Sequence, residues 1–201
     1  MKKAINVLIV IYLFLILSSC SLVPTSPNNI IKCAKLTADQ QEIVDLISAS
    51  NSLEILLFEF NTEEMYRNLE FWVEVYENGE LVEHPAGLET FHDGSEKRNG
   101  RLAAVINQNP NYQWSLSVIE NGGRSSHVST VEITVDESLF HVYGPIDDSV
   151  FIEDGKEIIL YKSLFTNKGS IAAYDNQTLQ ERPELLNEYL NAHLIKCRFN
   201  R

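Results

Sequence analysis

The chain has little positive charge and few cysteines. It contains 16 Lys and Arg residues against 28 Asp and Glu residues, which gives a formal net charge of −12. This balance argues against nucleic acid as a partner, because binding to phosphate backbones depends on clustered basic side chains. The apolar run from Val7 to Leu17 is too short to span a bilayer comfortably. Together these features exclude nucleic-acid binding and favour secretion over membrane spanning.

The sequence also lacks the common motifs of catalysis and metal binding. It contains no CxxC pair, no glycine-bracketed nucleophilic serine, no phosphate-binding loop and no dinucleotide-binding fingerprint. The acidic pairs Asp147-Asp148 and Glu153-Asp154 lack the alternating ligands and the glycine of a calcium-binding loop. No two histidines have the spacing of a helical zinc site. The five are His84, His92, His127, His141 and His193. No cofactor, metal site or catalytic residue is therefore predicted.

What the sequence does contain is a complete N-terminal signal. Lys2 and Lys3 precede the apolar run, and Leu17-Ser18-Ser19-Cys20 follows it. This tetrapeptide resembles the lipobox of bacterial lipoprotein signal peptides, although Gly or Ala is commoner than Ser immediately before the cysteine. The resemblance implies that the Cys20 thiol is alkylated by a diacylglyceryl group. It also implies that cleavage leaves Cys20 as the first mature residue.

The resemblance places the protein at the cell membrane, lipid-anchored on the extracytoplasmic side. We expect residues 1–19 to be the signal peptide, 20–35 the lipidated cysteine and a proline-containing tether, and 36–201 a single β-rich globular domain. Removing residues 1–19 removes two lysines and no acid, so the mature charge is −14. The predicted contact with the membrane is therefore through the lipid on Cys20 rather than through attraction to anionic headgroups.

The other two cysteines, Cys33 and Cys197, lie near the two ends of the predicted domain. In an oxidising compartment they could form a disulfide that joins those ends. The alternative is two buried free thiols that pack as small apolar side chains. The sequence favours the disulfide slightly, but it does not show that the two Cα atoms lie within bonding distance.

Short strands joined by tight turns account for most of the body. Leu53–Phe60 is apolar at both parities, so we expect a central strand there. Turns that contain Gly predict three hairpins. These pair Leu69–Glu77 with Glu80–Glu83, Tyr112–Glu120 with Ser126–Val135, and Val150–Glu153 with Lys156–Phe165. Arg101–Ile106 and Leu139–Tyr143 are two further candidate strands.

A helix is predicted near each end of the domain. Thr37 and Gln40 have the spacing of a capping box, and behind them Ile43, Val44, Leu46 and Ile47 share one helical face. Pro183 suits a first helical turn, and apolar residues then recur at helical spacing as far as Cys197. The predicted fold class is mainly β (α+β). We expect an antiparallel β-sandwich or barrel-like domain with short N-terminal and C-terminal helices.

One strand offers a candidate binding face. Between Leu69 and Val75 the odd residues are apolar, whereas Trp72 and Tyr76 alternate with Glu70 and Glu74 on the opposite face. Two aromatic rings among carboxylates on a solvated sheet face could stack on sugar rings or contact a partner protein. The alternative is that a helix or loop covers this face and buries both rings.

The sequence supports two function hypotheses. The favoured one is a non-catalytic cell-envelope lipoprotein whose domain is an extracytoplasmic binding or interaction module, with an envelope protein or a glycan as partner. The alternative is a small extracytoplasmic hydrolase, for example one that acts on envelope polysaccharide, whose site is assembled from distant residues. A pocket in which histidines and carboxylates converge would favour the hydrolase.

Overall fold

The computed structural model describes residues 29–51, 53–93, 96–107, 113–120, 123–129, 138–169 and 172–201. The lipobox, Cys20 and most of the predicted tether therefore lie outside the described residues. The described part forms two antiparallel sheets with few helices, which confirms the predicted fold class. No helix within these ranges is long and apolar enough to cross a membrane.

Within the described residues, twelve strands make up the two sheets. In chain order they are β1 (Ile30–Cys33), β2 (Leu53–Asn61), β3 (Asn68–Glu77), β4 (Glu80–Glu83), β5 (Gly87–Phe91), β6 (Asn99–Asn107), β7 (Gln113–Glu120), β8 (Gly123–Val128), β9 (Phe140–Pro145), β10 (Val150–Phe151), β11 (Glu157–Thr166) and β12 (Asn191–Asn200). The first sheet has the order β10-β1-β2-β6-β7-β8. The second has the order β4-β3-β12-β11-β9, and β5 also pairs with β3. The central strand predicted at Leu53–Phe60 is β2, which lies between β1 and β6.

The main core lies between the two sheets and follows the alternation of the strands. Leu69, Phe71, Val73 and Val75 of β3 are all buried, as their parity predicts. Trp114 of β7 is also buried, together with Leu116 and Val118, which share its parity on that strand. Apolar inward residues of both sheets belong to one continuous cluster.

A buried arginine joins the two sheets at one position. Arg98, which is fully buried, donates from Nε and Nη2 to the two carboxylate oxygens of Glu120 on β7, at 2.8 and 2.7 Å. Its Nη2 also donates to the Thr90 hydroxyl on β5, at 2.7 Å. Because a buried charge is tolerated only when it is paired, this contact fixes how the ends of the two sheets meet.

The domain begins earlier than the boundary predicted at residue 36. β1 pairs with β2 over Ile30–Cys33, and Ile31 is fully buried in the main core. The segment assigned to the tether thus ends before Ile30. A strand of four residues is too short for its pattern to separate it from a linker.

Two of the three predicted hairpins form. β3 and β4 are joined by Asn78 and Gly79, whose φ angles of 50° and 82° suit the primed turns that match the twist of a hairpin. β7 pairs with β8 from Glu120 and Gly123 outward. The predicted continuation of that second hairpin to Val135 lies outside the described residues from residue 130 on.

The third predicted hairpin is wrong. Its turn exists, since Gly155 has a φ of 70° and the Lys156 N–H donates to the Glu153 carbonyl at 3.2 Å. However, β10 pairs with β1 in the first sheet, whereas β11 pairs with β9 and β12 in the second. The turn residues specify a reversal of the chain, but they do not specify with which strand each flanking segment pairs.

The C-terminal helix predicted from Pro183 as far as Cys197 is wrong beyond Glu188, because the residues from Asn191 onward form a strand. The helical part consists of α2 (Asn176–Glu181) and a 3₁₀ helix (Pro183–Glu188), and β12 follows. From Ala192 to Ile195, β12 carries apolar residues on both faces, because Ile195 joins the main core while Ala192 and Leu194 pack into a second cluster under α2 and the 3₁₀ helix. Further along the strand, the outer face carries Lys196 and Arg198. A run that is apolar at both parities cannot be distinguished from a helix by periodicity.

The N-terminal helix, α1 (Ala38–Asn51), forms as predicted at its start. The Thr37 N–H donates to Gln40 Oε1 at 3.0 Å, and the Gln40 N–H donates to Thr37 Oγ1 at 3.3 Å, which is the predicted capping box. Its apolar residues do not enter the core, however. Ile43, Leu46 and Ile47 are exposed, and the side of α1 that faces the domain contacts β2.

Candidate functional site

The four predicted binding-face residues lie together on the outer face of the second sheet. Glu74 is buried among them, and Glu70, Trp72 and Tyr76 are half-buried. The Trp72 indole N–H donates to Glu74 Oε1 at 2.9 Å, and the Tyr76 hydroxyl donates to Glu74 Oε2 at 2.6 Å. The two aromatic residues are thus bonded to the carboxylate between them rather than standing free as a stacking surface.

Basic residues of β12 and an acid of β11 complete this cluster. Lys196 Nζ lies 2.6 Å from Glu74 Oε2 and 3.1 Å from Glu157 Oε2. Arg198 binds Glu70 with two nitrogens, at 2.6 and 3.2 Å, and its guanidinium lies 5.5 Å from the Trp72 ring centroid. The sequence reasoning missed Lys196 because it placed the chain as far as Cys197 in a helix rather than in a strand beside β3.

The electrostatics of the cluster follow from its burial. Burial by itself would raise the pKa of Glu74, but hydrogen bonds from Lys196, Tyr76 and Trp72 outweigh it and hold that pKa below the ordinary value. Burial raises the pKa of Tyr76, and the neighbouring Glu74 carboxylate raises it further. Tyr76 also packs against the second apolar cluster. This face is therefore an internally bonded network that is partly covered by the C-terminal helical segment.

A groove lies between α2 and the chain around β10 and β11. Its volume is about 410 Å³, and its floor includes Ile146, Ile158 and Ile159. Among the described residues, six carboxylates line it, and Lys156 is the single basic residue in the lining. The six are Asp147, Asp148, Glu153, Glu157, Asp175 and Glu181. The groove therefore combines an apolar floor with a strong excess of negative charge.

Amide side chains of α2 hold one wall of this groove. β11 pairs with β9 only from Tyr161 onward, so in the described part of the chain the backbone edge before Tyr161 has no strand beside it on that side. Gln180 Oε1 accepts from the Ile159 N–H at 2.9 Å, and Asn176 Nδ2 donates to the Ile159 carbonyl at 3.2 Å. α2 thus occupies the edge position that β9 leaves open.

A buried lysine lies next to the same wall. Lys162 is 7% exposed, and its Nζ donates to Asn176 Oδ1 at 2.8 Å. Burial lowers the pKa of Lys162, while Asp147 and Asp175 act in the opposite direction. Asp147 and Asp175 both line the groove, so the positive charge of Lys162 partly offsets their negative charge from the protein side.

A smaller cavity of about 300 Å³ lies against the first sheet. It is lined by Lys32 and Glu59, which form an ion pair at 3.1 Å, and by Arg101. Because its charges are mixed, this cavity does not select a ligand by the sign of charge.

Two histidines and a serine meet on the inner face of the second sheet. A hydrogen bond of 2.7 Å joins His141 Nε2 on β9 to Ser163 Oγ on β11. The buried His193 of β12 lies between Trp114 and Phe165, with ring centroids 5.4 and 5.3 Å away. Sequence reasoning counted both histidines but could not bring them together, because three separate strands supply the cluster.

Burial sets the protonation of these histidines. It lowers the pKa of His141, and with the help of His141 it lowers the pKa of His193 to about 3. Both rings are therefore neutral near pH 7, and a neutral His141 can accept a proton from Ser163. Ser163 itself is only 2% exposed, and neither cavity above is lined by it.

The predicted disulfide between Cys33 and Cys197 is not formed. Both residues are free thiols. Cys33 is at the end of β1 in the first sheet, where its Sγ donates to the Ile146 carbonyl at 3.3 Å. Cys197 is fully buried in the centre of the second sheet, and burial raises the pKa of both thiols. Cys197 belongs to the main core and Cys33 packs against it, so both act as apolar free thiols, which is the alternative that the sequence left open.

Within the described part of the chain, no three His, Cys, Asp or Glu side chains are arranged to hold a metal ion. In comparisons with known proteins, the family described as YgaN domain matches residues 30–199. No curated protein and no solved structure matches the chain. The matched segment covers the two sheets from β1 almost to the end of β12.

Proposed function

The chain belongs to the YgaN domain family, and we propose that this member is a cell-envelope lipoprotein whose domain binds a cationic partner without catalysis. The lipid on Cys20 holds it at the extracytoplasmic side of the cell membrane. The support for the anchor is the sequence Leu17-Ser18-Ser19-Cys20 behind a basic and apolar signal. The support for the binding role is the acidic groove between α2 and β11.

The groove carries the binding proposal because it combines size, shape and charge. Its volume of about 410 Å³ falls within the range of ligand sites, and its isoleucine floor gives apolar contact. The excess of carboxylates selects a ligand that carries positive charge, such as a Lys- or Arg-bearing segment of another envelope protein. A glycan is less favoured, because the Trp72 and Tyr76 polar groups are already bonded to Glu74.

The anchor is tested by metabolic labelling. Cells that express the full chain and receive labelled palmitate should incorporate the label into this protein. Cys20→Ala should abolish the label and release the protein from the membrane fraction. Lipid incorporation that persists in Cys20→Ala would refute the anchor while leaving the groove proposal intact.

The groove is tested by calorimetry of the full chain in neutral detergent micelles with an oligolysine peptide as probe. Asp148→Lys reverses a charge in the groove lining, and Glu80→Lys makes the same change on β4, away from the groove. Each variant replaces an exposed acid by a lysine, so the two variants alter the net charge equally. Binding should weaken several-fold more in Asp148→Lys than in Glu80→Lys. Equal losses would mean that the peptide senses only the overall charge.

A hydrolase is the second candidate, and the bond between His141 and Ser163 is the observation that favours it. A serine activated by a neutral histidine is the usual arrangement for acyl transfer. In that case a fluorophosphonate probe should label the native protein at Ser163, and Ser163→Ala should lose the label. Absence of labelling in the folded protein would agree with the burial of Ser163 and remove this candidate.

A further inference from the structure

Helix α1 carries an apolar face that the domain leaves open. Ile43, Leu46 and Ile47 stand at positions i, i+3 and i+4, so they share one face of the helix. They are 58%, 66% and 44% exposed. Val44 and Ser48 lie further round the helix and are half-buried. The strand that α1 contacts is β2. Single exposed apolar residues are normal, but three on one face of a helix form a patch.

The border of this patch is acidic. α1 contains Asp39, Glu42 and Asp45 and no Lys or Arg. Asp39 lies one turn before Ile43, and Glu42 lies one turn before Leu46, so two carboxylates stand beside the patch. An acidic border repels an anionic lipid surface, and it repels the same helix of a second copy. It attracts an apolar segment that has basic residues along its edges.

We infer that the exposed face of α1 is a docking surface for a partner protein that presents an apolar helix face bordered by Lys or Arg. Ile43, Leu46 and Ile47 supply the contact area, and Asp39 and Glu42 set the orientation of the partner. This surface is separate from the acidic groove, whose lining comes from α2 and from the chain around β10 and β11. Its test is therefore independent of the groove proposal.

The test uses the full chain reconstituted into phosphatidylcholine nanodiscs. The probe is a fluorescently labelled helical peptide with leucines along one face and lysines along its borders. A peptide of the same composition in scrambled order keeps the charge but lacks the apolar face. Empty nanodiscs measure binding to lipid alone. Fluorescence anisotropy then reports the affinity of the protein itself for each peptide.

Leu46→Gln is the main variant, because Gln keeps a good helix propensity while it removes apolar contact. It should weaken binding of the patterned peptide about tenfold or more, as expected for the loss of one buried leucine. Glu42→Lys should weaken it several-fold, and less so at high salt. The control is Leu81→Gln, which removes a leucine of 46% exposure from β4 and should leave the affinity unchanged.

Circular dichroism verifies that α1 still forms in each variant, and Ile47→Gln serves as an independent second variant of the patch. Equal affinities for Leu46→Gln and Leu81→Gln would overturn the inference. So would equal binding of the patterned and scrambled peptides, or binding that empty nanodiscs reproduce in full. A concentration-dependent dimer in sedimentation that Leu46→Gln abolishes would assign the patch to a second copy instead.

Discussion

Lys196 Nζ lies 2.6 Å from Glu74 Oε2 across β12 and β3, and both side chains are almost completely buried. The pair stands at the centre of the network that includes Trp72 and Tyr76. A buried ion pair adds little stability compared with a well-packed apolar pair, but the removal of one partner leaves a buried charge behind. The consequence is a strong coupling between two residues that are far apart in the sequence.

That coupling can be measured by a double-mutant cycle. Glu74→Leu should cost about 3 kcal/mol, because Lys196 keeps only Glu157 as its partner and two hydrogen-bond donors lose their acceptor. Lys196→Met in the same chain should recover most of that loss. Urea denaturation of the four proteins gives the coupling energy. A coupling below about 0.5 kcal/mol would show that the pair is worth no more than a surface contact.

Local patterns in the sequence predicted much of this fold. The parity of Leu69, Phe71, Val73 and Val75 identified an inward face, and Asn78-Gly79 identified the hairpin that follows it. The capping box at Thr37 was equally local. Each of these signals depends on residues within one element, where steric and hydrogen-bonding preferences act directly.

The parts that were missed depend on which elements meet. β12 looked helical because both of its faces are covered, and the network at Glu74 went unseen because its basic residues come from β12. The cluster of His141, Ser163 and His193 requires three strands in register. None of these contacts between strands can be recognised from the spacing of residues along the sequence. The lipid anchor on Cys20 stays a prediction from the sequence.

Acid should destabilise the protein through His193. The folded pKa of about 3 lies below the unfolded value of about 6.5, so as the pH falls the unfolded chain takes up this proton first. Stability from this group is complete above pH 6.5 and is lost as the pH falls toward 3. The loss is about 1.4 kcal/mol per pH unit once the unfolded chain is protonated. His141 adds a contribution of the same sign, because burial lowers its pKa too.

The measurement is the free energy of unfolding between pH 7.5 and about pH 4.5, where carboxylates do not yet dominate. His193→Asn should flatten the dependence on pH over this range. The same substitution at the exposed His84 controls for the loss of a histidine. A slope that is unchanged in His193→Asn would mean that His193 is not the group responsible.

Phe71 and Trp72 are neighbours in sequence with different environments. Phe71 is fully buried in the main core, so Phe71→Ala should cost about 3–5 kcal/mol through cavity formation. Trp72 is half-buried, and Trp72→Ala should cost about 1–2 kcal/mol through loss of its bond to Glu74 and its contact with Arg198. Chemical denaturation of both variants separates the two faces. Losses of equal size would mean that the outer face at Trp72 is packed as tightly as the core.

Gly79 is required for two separate reasons, and Gly155 allows them to be told apart. Both have a positive φ, of 82° and 70°, which costs an L-residue about 1 kcal/mol. A Cβ on Gly79 would also overlap Asn187 Oδ1, and it would lie 2.8 Å from Asn187 Cα in the 3₁₀ helix. At Gly155 the nearest atom to such a Cβ is 3.9 Å away.

Gly155→Ala should therefore show the backbone cost alone, about 1 kcal/mol. Gly79→Ala should cost about 1–3 kcal/mol more, because the side chain and the backbone of Asn187 must both move. Thermal and urea denaturation measure the two losses under the same conditions. Asn187→Gly in the Gly79→Ala chain removes the side-chain part of the overlap and should recover part of the difference. Equal losses for the two alanine variants would show that the 3₁₀ helix moves away without cost and does not hold the β3–β4 turn in place.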